Sequence, residues 1–180
     1  MVQYAFSFKI KQALSGGVLF ALLLGFAACQ QTREYSSSDP GVWEQHAIKN
    51  ALPDGLLHGS SYLSIYSEVY SQSEKRTYNL TATVSMRNIS STDAVYLLSA
   101  AYYNTQGDLI RTYFDHPIAL KPLESIEIVV DEADEHGGTG ANFIFEWAVA
   151  PQCHEPLFEA VMISTSGQQG ISFTTQSVKR

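Results

Sequence analysis

A chain of 180 residues that is 45% hydrophobic and 16% charged has the length and apolar content of one ordinary folded domain, and a second domain is not expected. Its formal charge of −7, from 18 acidic and 11 basic side chains, makes nucleic acid and anionic lipid surfaces poor partners. Two cysteines, Cys29 and Cys153, can form at most one disulfide.

The first 28 residues read as a signal peptide. Lys9 and Lys11 precede an apolar run from Ala13 to Ala28, broken only by Ser15 and three glycines. That run falls short of the roughly 20 residues a helix needs to span a bilayer, and it ends in small residues before Cys29. "FAAC", Phe26 to Cys29, resembles the lipobox of bacterial lipoproteins, with Phe26 where the pattern usually has Leu. The resemblance implies that Cys29 is lipidated and begins the mature chain; the other reading is plain cleavage after Ala27 or Ala28. Loss of Lys9 and Lys11 leaves nine bases against 18 acids, a formal charge of about −9. Lipid on Cys29 would leave Cys153, in the Pro-flanked "APQCHEP", as a lone thiol.

Residues 29–60 are polar and turn-rich ("QQTREYSSSDPG", "LPDGLLHGSS") and are expected to be a flexible tether, with a short helix conceivable around Trp43 to Ala51. From Ser61 the apolar period becomes two. "TYNLTATVSMR" places Tyr78, Leu80, Ala82, Val84 and Met86 on one face, as a half-buried antiparallel strand does. "AVYLLSAAYYN" is apolar on both faces and suits the middle of a sheet. "NTQGD" predicts a hairpin with Gly107 at positive φ, leading into "LIRTYFD". "SIEIVVDEAD", "NFIFEWAVA", "LFEAVMIST" and "GISFTT" are further strands, and "SYLSIYSEVY" precedes them all. Seven or eight close-spaced strands predict an all-β domain over 61–180, a single antiparallel immunoglobulin-like β-sandwich, with a closed barrel as the alternative.

Three stretches are candidate sites. "DEADEHGGTGANFIFEW" joins two strands, and Asp131, Glu132, Asp134, Glu135 and Asn142 offer oxygen ligands for calcium, although the spacing is not that of an EF-hand. Its glycines match neither a P-loop nor a dinucleotide fingerprint. "STSGQQG" offers Ser166, Gln168 and Gln169 as a binding loop but is not the G-x-S-x-G elbow of hydrolases. Tyr62, Tyr66 and Tyr70 would share one face if "SYLSIYSEVY" were one strand, a surface suited to a glycan or an envelope protein. The five histidines show no metal-binding spacing, so no catalytic residue or metal is assigned. Asn79 and Asn88 sit in glycosylation sequons, which matter only in a eukaryotic secretory path.

From about Ser61 to Thr175 the chain resembles a family of bacterial and cyanobacterial envelope lipoproteins known only as domain of unknown function three-one-two-four. The stretches carrying the resemblance are "YSEVY", "YNLTATVSMRN", "GGTGANFIFEW" and "EAVMISTSGQQGISF". Its polar positions fall at Gly137, Gly138, Gly140 and Asn142, and at Ser166, Gly167, Gln168, Gln169 and Gly170. The resemblance implies a secreted, membrane-tethered domain and brings no activity with it. The expectation is therefore a lipid-anchored, non-enzymatic module on the periplasmic side of a bacterial membrane, binding an envelope protein or glycan or serving structure. The alternative is an envelope hydrolase or metal-dependent enzyme with its site at the 131–142 and 164–170 loops.

Overall fold

The computed structural model describes residues 40–165 and 170–180. They belong to one packed unit, Glu34–Arg180. Cys29, the signal peptide, and Ser166, Gly167, Gln168 and Gln169 lie outside the described residues.

The expected all-β sandwich is what forms. One sheet has the order β12-β1-β9-β5-β6, built from β1 (Leu57–Ser64), β5 (Val95–Tyr103), β6 (Leu109–Phe114), β9 (Asn142–Val149) and β12 (Val178–Lys179); β7 (Ile118–Leu120) pairs β5 beside β6. The second has the order β11-β10-β4-β8, from β4 (Thr81–Arg87), β8 (Ser125–Val130), β10 (Leu157–Ser164) and β11 (Ile171–Gln176). All pairings are antiparallel.

Alternation along each strand builds the core. Ala82, Val84 and Met86 of β4 meet Ile126, Ile128 and Val130 of β8 and Phe158, Ala160 and Met162 of β10 on one inner face. Leu63, Leu97, Tyr102, Phe143, Phe145 and Trp147 line the other. Phe145 stacks on Phe158 across the two sheets, with ring centroids 4.1 Å apart. The β5–β6 hairpin is the one expected from "NTQGD", with Gly107 at φ +86°.

Two strands expected as continuous are each broken. After Ile65 the chain leaves the sandwich, runs out along β2 (Glu68–Ser71) and back along β3 (Ser73–Asn79), and re-enters at Leu80. Leu80 is fully buried, and its N–H donates to Ser67 O at 2.7 Å, so the detour is stitched at its base. The tether boundary at residue 60 is also corrected. A short helix α1 (Pro40–His46) buries Trp43 to 4% exposure with its ring 5.3 Å from that of Phe114, and Ala47 bridges to Ile118. The polar residues around Trp43 conceal that one large apolar anchor. The helix falls earlier than the expected Trp43 to Ala51. No helix among the described residues is long and apolar enough to cross a membrane.

Candidate functional site

The 131–141 loop leaves β8 and enters β9, and of its acidic side chains Asp134 alone is buried. Asp134 is 0% exposed and takes Arg111 Nη1 at 3.3 Å on one oxygen and His136 Nδ1 at 2.7 Å on the other, which also accepts the His136 N–H. A buried carboxylate demands such compensation. Burial works against the Arg111 charge, but the Tyr113 hydroxyl and the Asp134 carboxylate outweigh it, so Arg111 titrates above its usual range. Asp131 accepts from Ala133 N–H at 2.8 Å, and Glu135 accepts from Asn79 Nδ2 at 2.8 Å. Asn142 opens β9 opposite Ser64. The acidic side chains thus serve separate partners, and no group of three or more His, Cys, Asp or Glu among the described residues is placed to hold a metal.

The glycines act by what they lack. A Cβ on Gly137 would lie 2.0 Å from Tyr102 Oη and 2.2 Å from Ser67 Oγ, the two atoms that form a buried 2.8 Å hydrogen bond. Desolvation pushes the Tyr102 phenol up to about 12, outweighing the Ser67 hydrogen bond that opposes it. Thr105, on the β5–β6 turn, donates through N–H and Oγ1 to Gly137 O, both at 3.0 Å, and accepts the Gly140 N–H at 2.9 Å. Ser67 N–H donates to Gly138 O, and Ile65 N–H to Ala141 O. "GGTGA" is therefore a clasp joining the β5–β6 turn to the base of the β2–β3 ribbon.

The three tyrosines do not form one row. Tyr62 lies on β1, Tyr66 sits in the link to the ribbon with its ring edge-on to Phe173 at 5.6 Å, and Tyr70 stands exposed on β2. The outer face of the larger sheet instead gathers Tyr62, Ile144 and Ala101 side by side, with Tyr103 in the neighbouring row and Tyr96 two rows away beyond Glu146, all partly exposed. Sequence reasoning missed Tyr96 and Tyr103 because "AVYLLSAAYYN" hides which of its apolar faces turns outward.

The 131–142 and 164–170 loops leave the same end of the smaller sheet with β4 between them: Val130 faces Ala82, and Ile163 faces Thr81. Two strand spacings put their roots about 10 Å apart. A groove of about 350 Å³ lies on the outer face of that sheet, lined by Ser85, Arg87, Glu159, Val161, Thr174 and Gln176. Its charges are matched internally, Arg87 Nε standing 3.2 Å from Glu159 Oε2 and Gln176 donating to Oε1.

Asn88, a sequon residue, is 2% exposed. It donates to the carbonyls of Asp93, Leu120 and Lys121 and accepts the Ser90 N–H, so it carries no glycan in the folded chain. Cys153 is a partly buried free thiol.

The family model described as "Protein of unknown function (DUF3124)" matches residues 58–179. No curated protein matches. Among solved structures the chain is similar to one titled "Crystal Structure of Thermotoga maritima 1070", at 9% identity and a TM-score of 0.40, covering 67% of this chain and 94% of that one. A likeness at that score carries no argument.

Proposed function

We propose, for a chain that belongs to the DUF3124 family of proteins of unknown function, that it is a lipid-anchored module of the bacterial cell envelope that binds or braces and does no chemistry. The observation that carries this reading is the closure of the acidic glycine loop. Its buried carboxylate is consumed by Arg111 and His136, and its glycines press against Tyr102, Ser67 and Thr105. A catalytic loop presents such groups to a substrate, whereas this one spends them on holding strands together.

Binding then falls to the outer face of the larger sheet, where Tyr62, Tyr96, Tyr103 and Ile144 present partly exposed rings and apolar surface. Tyrosine faces of this kind suit a glycan or an envelope protein. The anchor is Cys29, through the lipobox pattern "FAAC". The test is fractionation of cells carrying the full chain or its Cys29→Ala variant: the variant is expected in the soluble periplasmic fraction, and unchanged membrane association sinks the reading.

The enzyme alternative has one observation in its favour. Asp134 orients His136, whose side chain is 65% exposed, as a carboxylate orients an imidazole for proton transfer. That reading requires His136→Gln to abolish turnover of an envelope substrate while the fold stays intact.

A further inference from the structure

We infer that the groove on the outer face of the smaller sheet is a binding site for a neutral, extended glycan chain lying along β10. This goes beyond the reading above: it needs no lipid anchor, and its surface is not the tyrosine face of the larger sheet. The groove holds about 350 Å³, within the range of ordinary ligand sites.

Alternation along three paired strands sets out its pattern. Val161 and Ile163 of β10 turn outward, 40% and 42% exposed. Val161 is flanked by Thr83 of β4 and Thr174 of β11, and Ile163 by Thr81 and Ser172. An apolar floor one strand wide thus runs between two rows of hydroxyls roughly 10 Å apart, the width of two strand spacings. The hydroxyl of the inward-turned Thr175 is taken by Ser64 O at 2.6 Å. Those of Thr81, Thr83, Ser172 and Thr174 have no hydrogen-bond partner among the described residues. A hexose ring has the complementary layout, with C–H bonds over its faces and hydroxyls around its rim.

The polar end of the groove fits the same ligand. Arg87 Nε is buried 3.2 Å from Glu159 Oε2, near enough to balance its charge but not aligned to donate to it. Glu159 Oε1 accepts from Gln176 Nε2 at 3.0 Å, and across β4 Glu127 Oε1 accepts from Ser85 Oγ at 3.3 Å. An anion here would meet two carboxylates for one guanidinium, and a cation would press on the guanidinium. A sugar hydroxyl donates to a carboxylate and accepts from a guanidinium at once.

Other occupants fit less well. An extended peptide finds no backbone to pair with, because β10 is bonded to β4 on one side and β11 on the other. A second copy related by a two-fold through the groove would set Glu127 and Glu159 against their own images. Outward residues repeat along β10 at roughly 7 Å, so Glu159, Val161 and Ile163 form a straight strip of about 14 Å. A straight strip selects an extended β-linked chain over a coiled α-linked one.

The experiment titrates the full chain, purified without sugar-based detergent, with cellohexaose and with chitohexaose by calorimetry. At least one is expected to bind with a dissociation constant of about 1 mM or tighter. Salt should leave that binding unchanged, since no charge is paired. Thr83→Val with Thr174→Val removes two hydroxyls at little change of shape and is expected to weaken binding roughly tenfold. Thr83→Ser with Thr174→Ser keeps the hydroxyls and is expected to bind as the parent does, which separates lost contacts from a disturbed sheet. Tyr62→Ala, on the other sheet, should have no effect. Failure of both hexasaccharides to bind overturns the inference, as does equal loss in the Val and Ser pairs. Binding that falls with salt overturns the assignment of a neutral ligand. Binding lost in Tyr62→Ala and kept in the Val pair moves the glycan to the tyrosine face, so that this inference fails while the reading above stands.

Discussion

At the ribbon end of the sandwich, strands are joined where Gly137 has no side chain, so that Tyr102 and Ser67 can meet, with the buried Asp134 paired to a partly exposed Arg111. At the other end the same task falls to one side chain, Asn88, which gathers three carbonyls and an amide from two segments. The first fastening depends on an absence and tolerates no addition; the second depends on a presence and tolerates no removal. The contrast explains why a glycine-rich acidic stretch reads as a ligand loop. Close backbone approach and buried charge serve a ligand or a neighbouring strand equally well, and only the neighbours decide which.

The comparison breaks first at Gly137. Gly137→Ala is expected to lower unfolding stability by about 3 kcal/mol, since the added methyl cannot coexist with the Ser67–Tyr102 hydrogen bond and both groups are buried. Denaturant titration reads this as a lower midpoint at unchanged slope. A loss under 1 kcal/mol would mean that the loop can slide away, and the clasp would not be one.

Next comes Asn88→Ala, expected to cost about 2 kcal/mol. Two of its carbonyl partners, those of Asp93 and Lys121, are only part-buried, and water can replace part of what is lost there, so it should fall below the Gly137 effect. The reverse order would make the Asn88 end the tighter of the two.

Much of this architecture was legible in the sequence. The alternation of β4, the two-sided apolarity of β5, the aromatic face of β9 and the Gly107 turn each follow from local periodicity and turn chemistry, and each is where it was expected. The failures are non-local. "YNLTATVSMR" alternates straight through the corner at Leu80, because a buried corner residue keeps the same phase as a strand. Trp43 sits in polar sequence and declares itself only against Phe114. Asp134 reads as one acid among four until Arg111, 23 positions earlier, arrives from another strand. The tyrosine row failed for a related reason, since the ribbon carries Tyr70 away from the sheet that holds Tyr62.

The smallest expected effect sharpens the comparison at the Asn88 end, where α1 is pinned by Glu124. That carboxylate accepts the Lys121 N–H at 2.7 Å and lies 3.2 Å from His46. The backbone hydrogen bond from Lys121, helped by the His46 contact, holds its pKa below the usual glutamate value against the desolvation that opposes it. A folded-state value below the unfolded one, about 4.3 for glutamate, places the stabilisation above that pH and removes it as pH falls through the lowered folded value. Glu124→Gln should therefore differ from the parent by under 1 kcal/mol at pH 6 and above, with the difference shrinking below about pH 4. Melting the two chains side by side from pH 7 to pH 3 reads it directly. A difference that instead changes between pH 7 and 5, the imidazole range, would assign the pin to His46 protonation, and the carboxylate's bond to the turn would count for little.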